Sequence, residues 1–221
     1  MSALSRRTLL GLLGIALGTI SFVLQADAVD EGDGLAAFDP QLTADVVADR
    51  TTDLTKVAQF FTFLGSTVVL TTLTVVVAVL LRVVTHRWLP ALVLVVGMIG
   101  SGILTYTLKQ LIGRQRPDET IVLGTVSDTF SFPSGHSLNS AVFFLLLAGM
   151  LWYTSASRAI KILGTAVAVL LTIGVGWSRV YLGYHWATDV LAGWTVALTW
   201  LCVIATAVHL IGVRRTRVAC A

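Results

Sequence analysis

Six residues in an otherwise apolar chain have the chemistry of a catalytic, anion-binding site: Lys109, Arg116, His136, Arg179, His185 and Asp189. They fall in three polar blocks, KQLIGRQRP at 109–117, FPSGHS at 132–137 and SRVYLGYHWATD at 178–189. His185 and Asp189 are four apart, on one face of a helix. A carboxylate so placed can hold one imidazole nitrogen and leave the other free to attack, the orienting logic of catalytic triads. His136, from a different segment, is then available to protonate a leaving oxygen. Lys109, Arg116 and Arg179 would repel one another unless an anion sits among them. Phosphate meets that need, because guanidinium groups bind its oxygens in a bidentate way and lysine adds a point charge. The middle block adds a second anion device. Pro133 suits a first helical turn, and Ser134 and Gly135 leave backbone N–H groups open at a helix N-terminus, where the dipole favours negative charge.

The elements that must bring these blocks together are membrane helices. The chain has 221 residues, 56% hydrophobic and only 12% charged, with a mean hydropathy of +0.86. Soluble domains carry roughly 25% charged residues. Six apolar runs approach the about 20 residues that a bilayer crossing requires: 8–25, 57–81, 89–108, 134–153, 159–177 and 186–211. Gly, Ala, Ser and Thr recur throughout them, as expected where membrane helices pack closely. The expected fold is all-α, a single 1–221 domain: a first helix and acidic segment (1–56), a six-helix bundle with its core at 57–211, and a basic tail (212–221). Between His136 and Ser178 lie 41 residues, enough for two crossings and a tight turn. That spacing returns the third block to the membrane face where the second began.

Orientation follows from basic residues in short loops. Arg6 and Arg7 precede the first run, Arg82 and Arg87 separate the second and third, Arg158 and Lys161 the fourth and fifth, and Arg214, Arg215 and Arg217 follow the sixth. Together they are nine of the fifteen Lys and Arg, and those segments hold none of the twelve acids. Both termini are therefore expected in the cytoplasm, with the three blocks on the outer face of the plasma membrane. Residues 26–56 carry eight acids. Asp39-Pro40 resembles an N-cap followed by Pro at the first helical position, and Leu42, Val46 and Val47 recur at helical spacing. A short amphipathic helix on the outer surface is expected there.

Plainer readings exist for each residue taken singly. Lys109, Arg114, Arg116 and Arg179 can snorkel from helix ends to the interface, and Tyr181, Tyr184 and Trp186 can form an aromatic belt. His185 with Asp189 can be a structural pair, and His136 a capping residue. The convergence of the set on one face favours chemistry, and only Arg114 is left to snorkelling. A net charge of +3 does not imply nucleic acid, since the basic residues are scattered singly or in pairs. A metal held by His136, His185 and Asp189 is opposed by the three neighbouring cations. A transporter would place its charges at mid-membrane depth rather than at helix ends. Cys202, inside an apolar run, and Cys220, in the tail, form neither a disulfide framework nor a zinc site.

The pattern Lys-x6-Arg-Pro, Pro-Ser-Gly-His, Ser-Arg-x5-His-x3-Asp resembles the signature of the type 2 phosphatidic acid phosphatase superfamily, which includes vanadium haloperoxidases. All eleven signature positions match: Lys109, Arg116, Pro117, Pro133, Ser134, Gly135, His136, Ser178, Arg179, His185 and Asp189. Six membrane helices resemble the integral-membrane lipid phosphatase branch rather than the soluble haloperoxidases. The resemblance implies a metal-independent reaction through a phosphohistidine, with His185 as nucleophile, Asp189 orienting it, and His136 as acid and then base. It implies that Lys109, Arg116, Ser134, Gly135, Ser178 and Arg179 bind the phosphoryl oxygens. The partners implied are a lipid phosphate (phosphatidic acid, phosphatidylglycerophosphate or an isoprenyl diphosphate) and membrane lipids, with no cofactor. One rival reading touches the first helix: SRRTLLGLLGIALG resembles a twin-arginine export signal, with ADA at 26–28 as a cleavage site. A retained helix is expected from the charge pattern. Sequencing of the mature N-terminus checks it, and an end at Val29 would exclude the six-helix bundle.

Overall fold

The structure, a computed structural model, describes residues 5–125 and 128–219, with side chains through Gly212. Cys220 and the side chains of Arg214, Arg215 and Arg217 lie outside the described residues. Every regular element among those described is helical: α1 (Arg6–Glu31), α2 (Asp39–Ala48), α3 (Thr52–Leu64), α4 (Thr67–Thr85), α5 (Leu89–Ile112), α6 (Gly135–Leu151), α7 (Arg158–Tyr181) and α8 (Ala187–Ala219). Among the described residues, five helices are long and apolar enough to cross a bilayer: α1, α4, α5, α7 and α8 as far as Gly212. The chain is an integral membrane protein.

Two expectations change. The run 57–81 is not one helix. It is α3 and α4, broken at Gly65-Ser66, where the Ser66 hydroxyl accepts from the Val69 N–H at 3.4 Å and caps a new helix. Hydropathy runs straight through such a junction and does not register it. The break lets α3 leave the α4 axis and pack along α7. The run 134–153 yields α6, whose 17 residues span about 25 Å, short of a hydrocarbon core of about 30 Å. It is nonetheless the central helix, flanked by α5, α7 and α8. Leu138, Ala141 and Val142 pack with Val196 and Ala197 on one side, and Phe143 and Leu146 with Leu70 and Leu94 on the other.

Helix α1 lies along α8. Gly11, Gly14 and Gly18 face Thr206, Cys202 and Thr199 so closely that a Cβ would overlap them, the small-residue packing expected of membrane helices. Helix α2 forms where its periodicity places it, but its inward stripe is Asp39, Thr43 and Val46. Asp39 is not the cap. Phe38 holds that position, and the Asp39 carboxylate turns into the protein, only 2% exposed.

Two glycines set the approach of the segments that carry the polar blocks. Gly183, in the turn between α7 and α8, has φ +81° and lies against the Ile121 carbonyl, where any Cβ would be both strained and blocked. On α8, a Cβ at Gly193 would sit 2.8 Å from the Ser134 carbonyl oxygen and 3.2 Å from the Leu138 nitrogen. The start of α6 therefore rests directly on the α8 backbone. Gly193→Val should lower stability by about 1–3 kcal/mol through overpacking. Gly149→Val, whose added atoms meet open space, should cost less. Thermal melts of both variants in the same detergent check the difference.

Candidate active site

The site is built around the carboxylate of Asp189, fully buried in the first turn of α8. Its Oδ2 accepts from the Trp186 N–H at 3.0 Å, so the side chain reaches back over its own helix start as in a capping box. Oδ2 also accepts from the Ser131 hydroxyl and from His185 Nδ1 at 3.1 Å. Oδ1 accepts from Arg114 Nη1 at 2.7 Å. Each donor is needed, because a buried carboxylate without partners costs several kcal/mol. The Asp189 carbonyl accepts from the Ser134 N–H at 2.9 Å, which ties the second block to the third.

His185 is 2% exposed and leaves the α7–α8 turn with its N–H on the Arg179 carbonyl, 3.2 Å away. The network assigns its tautomer. Nδ1 carries the hydrogen given to Asp189. Nε2 keeps its lone pair and faces Arg116 Nη1 at 3.3 Å. Burial pushes this imidazole well below its ordinary pKa of 6.5, and the positive fields of Arg179, Lys109 and Arg116 push it the same way. The result is a neutral, oriented ring with one nitrogen available for attack.

The cations are held by carbonyl and hydroxyl oxygens. Lys109, in the last turn of α5, donates to the carbonyls of Phe130 and of Ser131, the latter at 3.0 Å. Arg116 Nε donates to the Thr129 carbonyl at 2.7 Å, Nη1 to the Tyr184 carbonyl at 2.7 Å, and Nη2 to the Thr129 hydroxyl at 3.0 Å. Arg179 Nη1 donates to the Thr62 hydroxyl on α3, and its guanidinium lies 3.9 Å over the Tyr184 ring. Its Nε is buried without a partner. Ser134 caps α6 by accepting from the Ser137 N–H at 3.4 Å. The N–H groups of Gly135 and His136 have no acceptor among the described residues, as the first turn of a helix dictates. His136 lies within the fields of Arg179, His185, Arg116 and Lys109, and no hydrogen-bond partner holds its ring among the described residues. Ser178 is buried with its hydroxyl turned back to the Val175 carbonyl, 2.7 Å away.

All the residues picked out from the sequence therefore meet at one end of the bundle, where α5 and α7 end and α6 and α8 begin. Several partners were not foreseen. Arg114 does not snorkel: it forms ion pairs with Asp189 at 2.7 Å and Asp39 at 2.8 Å. The signal was present. Gly113 ends α5 with φ +66°, the left-handed C-terminal stop. Beyond it Arg114 and Arg116 are two apart in non-helical chain, which can send both inward. Two of the aromatic residues also have specific partners. Trp186 Nε1 donates to the Gln115 carbonyl at 3.0 Å and its ring lies 5.5 Å from the Arg114 guanidinium. Buried Tyr181 is bonded to the Thr51 backbone. Four cations (Lys109, Arg114, Arg116, Arg179) against Asp39 and Asp189 leave two positive charges before any proton on His136 is counted, the complement of a phosphate dianion.

Comparison with known proteins gives the same direction. A family model, the PAP2 superfamily, matches residues 90–212. Phosphatidylglycerophosphatase B of Bacillus subtilis is 40% identical over 101 residues, covering 43% of this chain and 47% of that protein. The undecaprenyl-diphosphatase of Sulfolobus acidocaldarius is 33% identical over 114 residues, 49% of this chain and 50% of that protein. The chain thus spans about half the length of these curated relatives. The crystal structure of a transmembrane PAP2 type phosphatidylglycerolphosphate phosphatase from Bacillus subtilis superposes with a TM-score of 0.79 at 28% identity, covering 86% of this chain and 93% of that one.

The lowered pKa of His185 has a spectroscopic consequence. In 15N spectra of histidine-labelled protein, assigned with His185→Gln, the His185 ring should remain neutral as pH falls through about 6.5. A midpoint at or above that value would contradict the burial argument.

Proposed function

This chain belongs to the PAP2 superfamily, and from that premise we propose that it is a metal-independent lipid-phosphate phosphatase working through a phosphohistidine. The observation that carries the reading is the geometry of His185: Nδ1 is 3.1 Å from Asp189 Oδ2, and Nε2 is 3.3 Å from Arg116 Nη1. That arrangement aims a neutral nucleophile at the spot where a phosphoryl group would lie among three cations.

Nε2 of His185 attacks phosphorus, and the bond from phosphorus to the leaving oxygen breaks as His136 delivers a proton to that oxygen. The imidazolium character that develops on His185 is stabilised by Asp189. Arg116, Lys109, Arg179 and the open N–H groups of Gly135 and His136 bear the charge on the phosphoryl oxygens, with Ser134 shaping that helix start and Ser178 behind Arg179. His136, now neutral, takes a proton from water. The hydroxide adds to phosphorus, the P–N bond breaks, and inorganic phosphate leaves. No step calls for a metal, and the surrounding cations would repel one.

The substrate is a lipid phosphate of the class that the relatives' names describe, phosphatidylglycerophosphate, phosphatidic acid or an isoprenyl diphosphate. In the proposed topology α6 serves as a short sixth crossing. Both termini are cytoplasmic and the site faces the outside of the plasma membrane, supported by the basic residues of the opposite loops. Purified protein in detergent should release phosphate from at least one member of that panel. Release should survive EDTA, be lost to orthovanadate, and fall to background in His185→Ala. Turnover retained by His185→Ala would overturn the nucleophile assignment, and loss to EDTA would point to a metallohydrolase.

A further inference from the structure

The acidic segment before α3 has no part in the chemistry above, yet one of its side chains reaches the heart of the site. Asp39 is 2% exposed. Its Oδ2 accepts from Arg114 Nη2 at 2.8 Å and from the Thr188 hydroxyl, and its Oδ1 from the Thr188 N–H at 3.1 Å. Thr188 is the neighbour of Asp189, and its hydroxyl also accepts from Arg114 Nη1 at 2.8 Å. The same Nη1 bonds Asp189 Oδ1 at 2.7 Å. The far end of the segment is fastened as well: Arg50 donates to the Tyr181 carbonyl at 2.8 Å and the Ile121 carbonyl at 2.7 Å. Helix α2 is thus clasped at both ends onto the residues that lead into the nucleophile.

We propose that Asp39 and Arg114 are positioning residues for His185, with Arg114 joining the Asp39 carboxylate of α2 to Asp189 and thereby fixing the plane in which Asp189 meets the ring. The inference rests on the phosphatase reading above. A guanidinium is planar and has two bonding edges. With Asp39 and Thr188 on one side and Asp189 on the other, and with the Trp186 ring lying against it, it has one orientation. Held by Oδ1, the Asp189 carboxylate can turn only Oδ2 toward Nδ1. Without Asp39, Arg114 is free to rotate toward the neighbouring anion pocket, and the orientation of Asp189 loosens with it. A clasp that merely held α2 in place would need no link to the orienting carboxylate.

The test measures kcat and KM on whichever lipid phosphate of the panel the wild type turns over, with melting temperature and the orthovanadate-induced rise in melting temperature on the same samples. Asp39→Asn should lower kcat by about tenfold with KM within about twofold, as expected for loss of an outer-shell partner. Arg114→Gln should cost on the order of a hundredfold, because it leaves two buried carboxylates facing each other. Arg114→Lys should recover part of that loss. The double variant Asp39→Asn/Arg114→Gln should be no worse than Arg114→Gln alone, since residues acting as a unit are not additive. Asp49→Asn, the same charge change at an exposed position of the same segment, should match the wild type. If Arg114→Gln does not fold, Asp39→Asn and Arg114→Lys carry the comparison. Wild-type kcat in Asp39→Asn, losses that multiply in the double variant, or kcat falling only in step with melting temperature would each overturn the inference alone. A wild type inactive on the whole panel and unresponsive to orthovanadate would overturn the phosphatase reading, and this inference with it.

Discussion

A carboxylate fully buried at the end of a membrane bundle is the constraint on which the rest of this structure turns. Asp189 cannot sit there alone, since an isolated buried ion would cost more than a marginally stable fold can absorb. Its partners come from three parts of the chain that join four helices: Arg114 beyond α5, Ser131 before α6, and His185 with the Trp186 N–H in the turn from α7 to α8. Satisfying one charge therefore fixes how four helices meet. Function and folding draw on the same contacts, because the oxygen that steadies the histidine is also the acceptor that the α8 start requires.

The cations around it are arranged by a complementary rule. Lys109, Arg116 and Arg179 would drive one another apart, and the chain answers by spending backbone carbonyls on them: Phe130 and Ser131 on Lys109, Thr129 and Tyr184 on Arg116. The described residues between Ile112 and Phe132, like Tyr184 in the α7–α8 turn, are largely non-helical, and that irregularity is what makes these carbonyls available; inside a helix they would be engaged along the ladder. A carbonyl dipole orients a cation without neutralising it. The pocket so made remains positive and preorganised, which is the form in which electrostatics contributes to phosphoryl transfer without reorganisation at the moment of reaction.

Most of the site and most of the helices could be read from the sequence, and the parts that could not have specific causes. The spacing of His185 and Asp189, the cations of the first and third blocks, and the helix start at Ser134 are local patterns with local meaning. The Arg114–Asp39 pair is not: 75 residues separate its members, and an arginine at a helix end looks the same whether it snorkels or pairs. Ser131 carries no signal at all apart from its nearness to Pro133. The α3–α4 break hides in an apolar run because hydropathy averages over a Gly-Ser junction. An aromatic residue at a helix end suggests only the interface, and nothing in the sequence signals that the Trp186 ring also lies against Arg114.

The short length of α6 determines how deep its N-terminus lies among its neighbours. Its first residue, Gly135, lies against Thr105 of α5, seven residues before that helix ends, and Ser134 lies against Gly193, six residues inside α8. On the third side, Gly65 abuts both His136 and Val175, the latter six residues before the end of α7. At 1.5 Å per residue the three offsets are about 9–11 Å. The N-terminus of α6 is therefore recessed by nearly two turns below the ends of its neighbours, and His136 stands on the floor of that recess. A bilayer's polar zone is several ångströms thick on each side, and under the proposed function a recess of this depth would receive a lipid phosphate close to where the bilayer already holds it. A longer α6 would lift its helix N-terminus toward the rim, and on the same proposal a substrate would then have to leave the membrane to be cleaved. Under the proposed function, the helix that looks too short to span is the one whose shortness would bring the phosphate site near the level of the lipid headgroup.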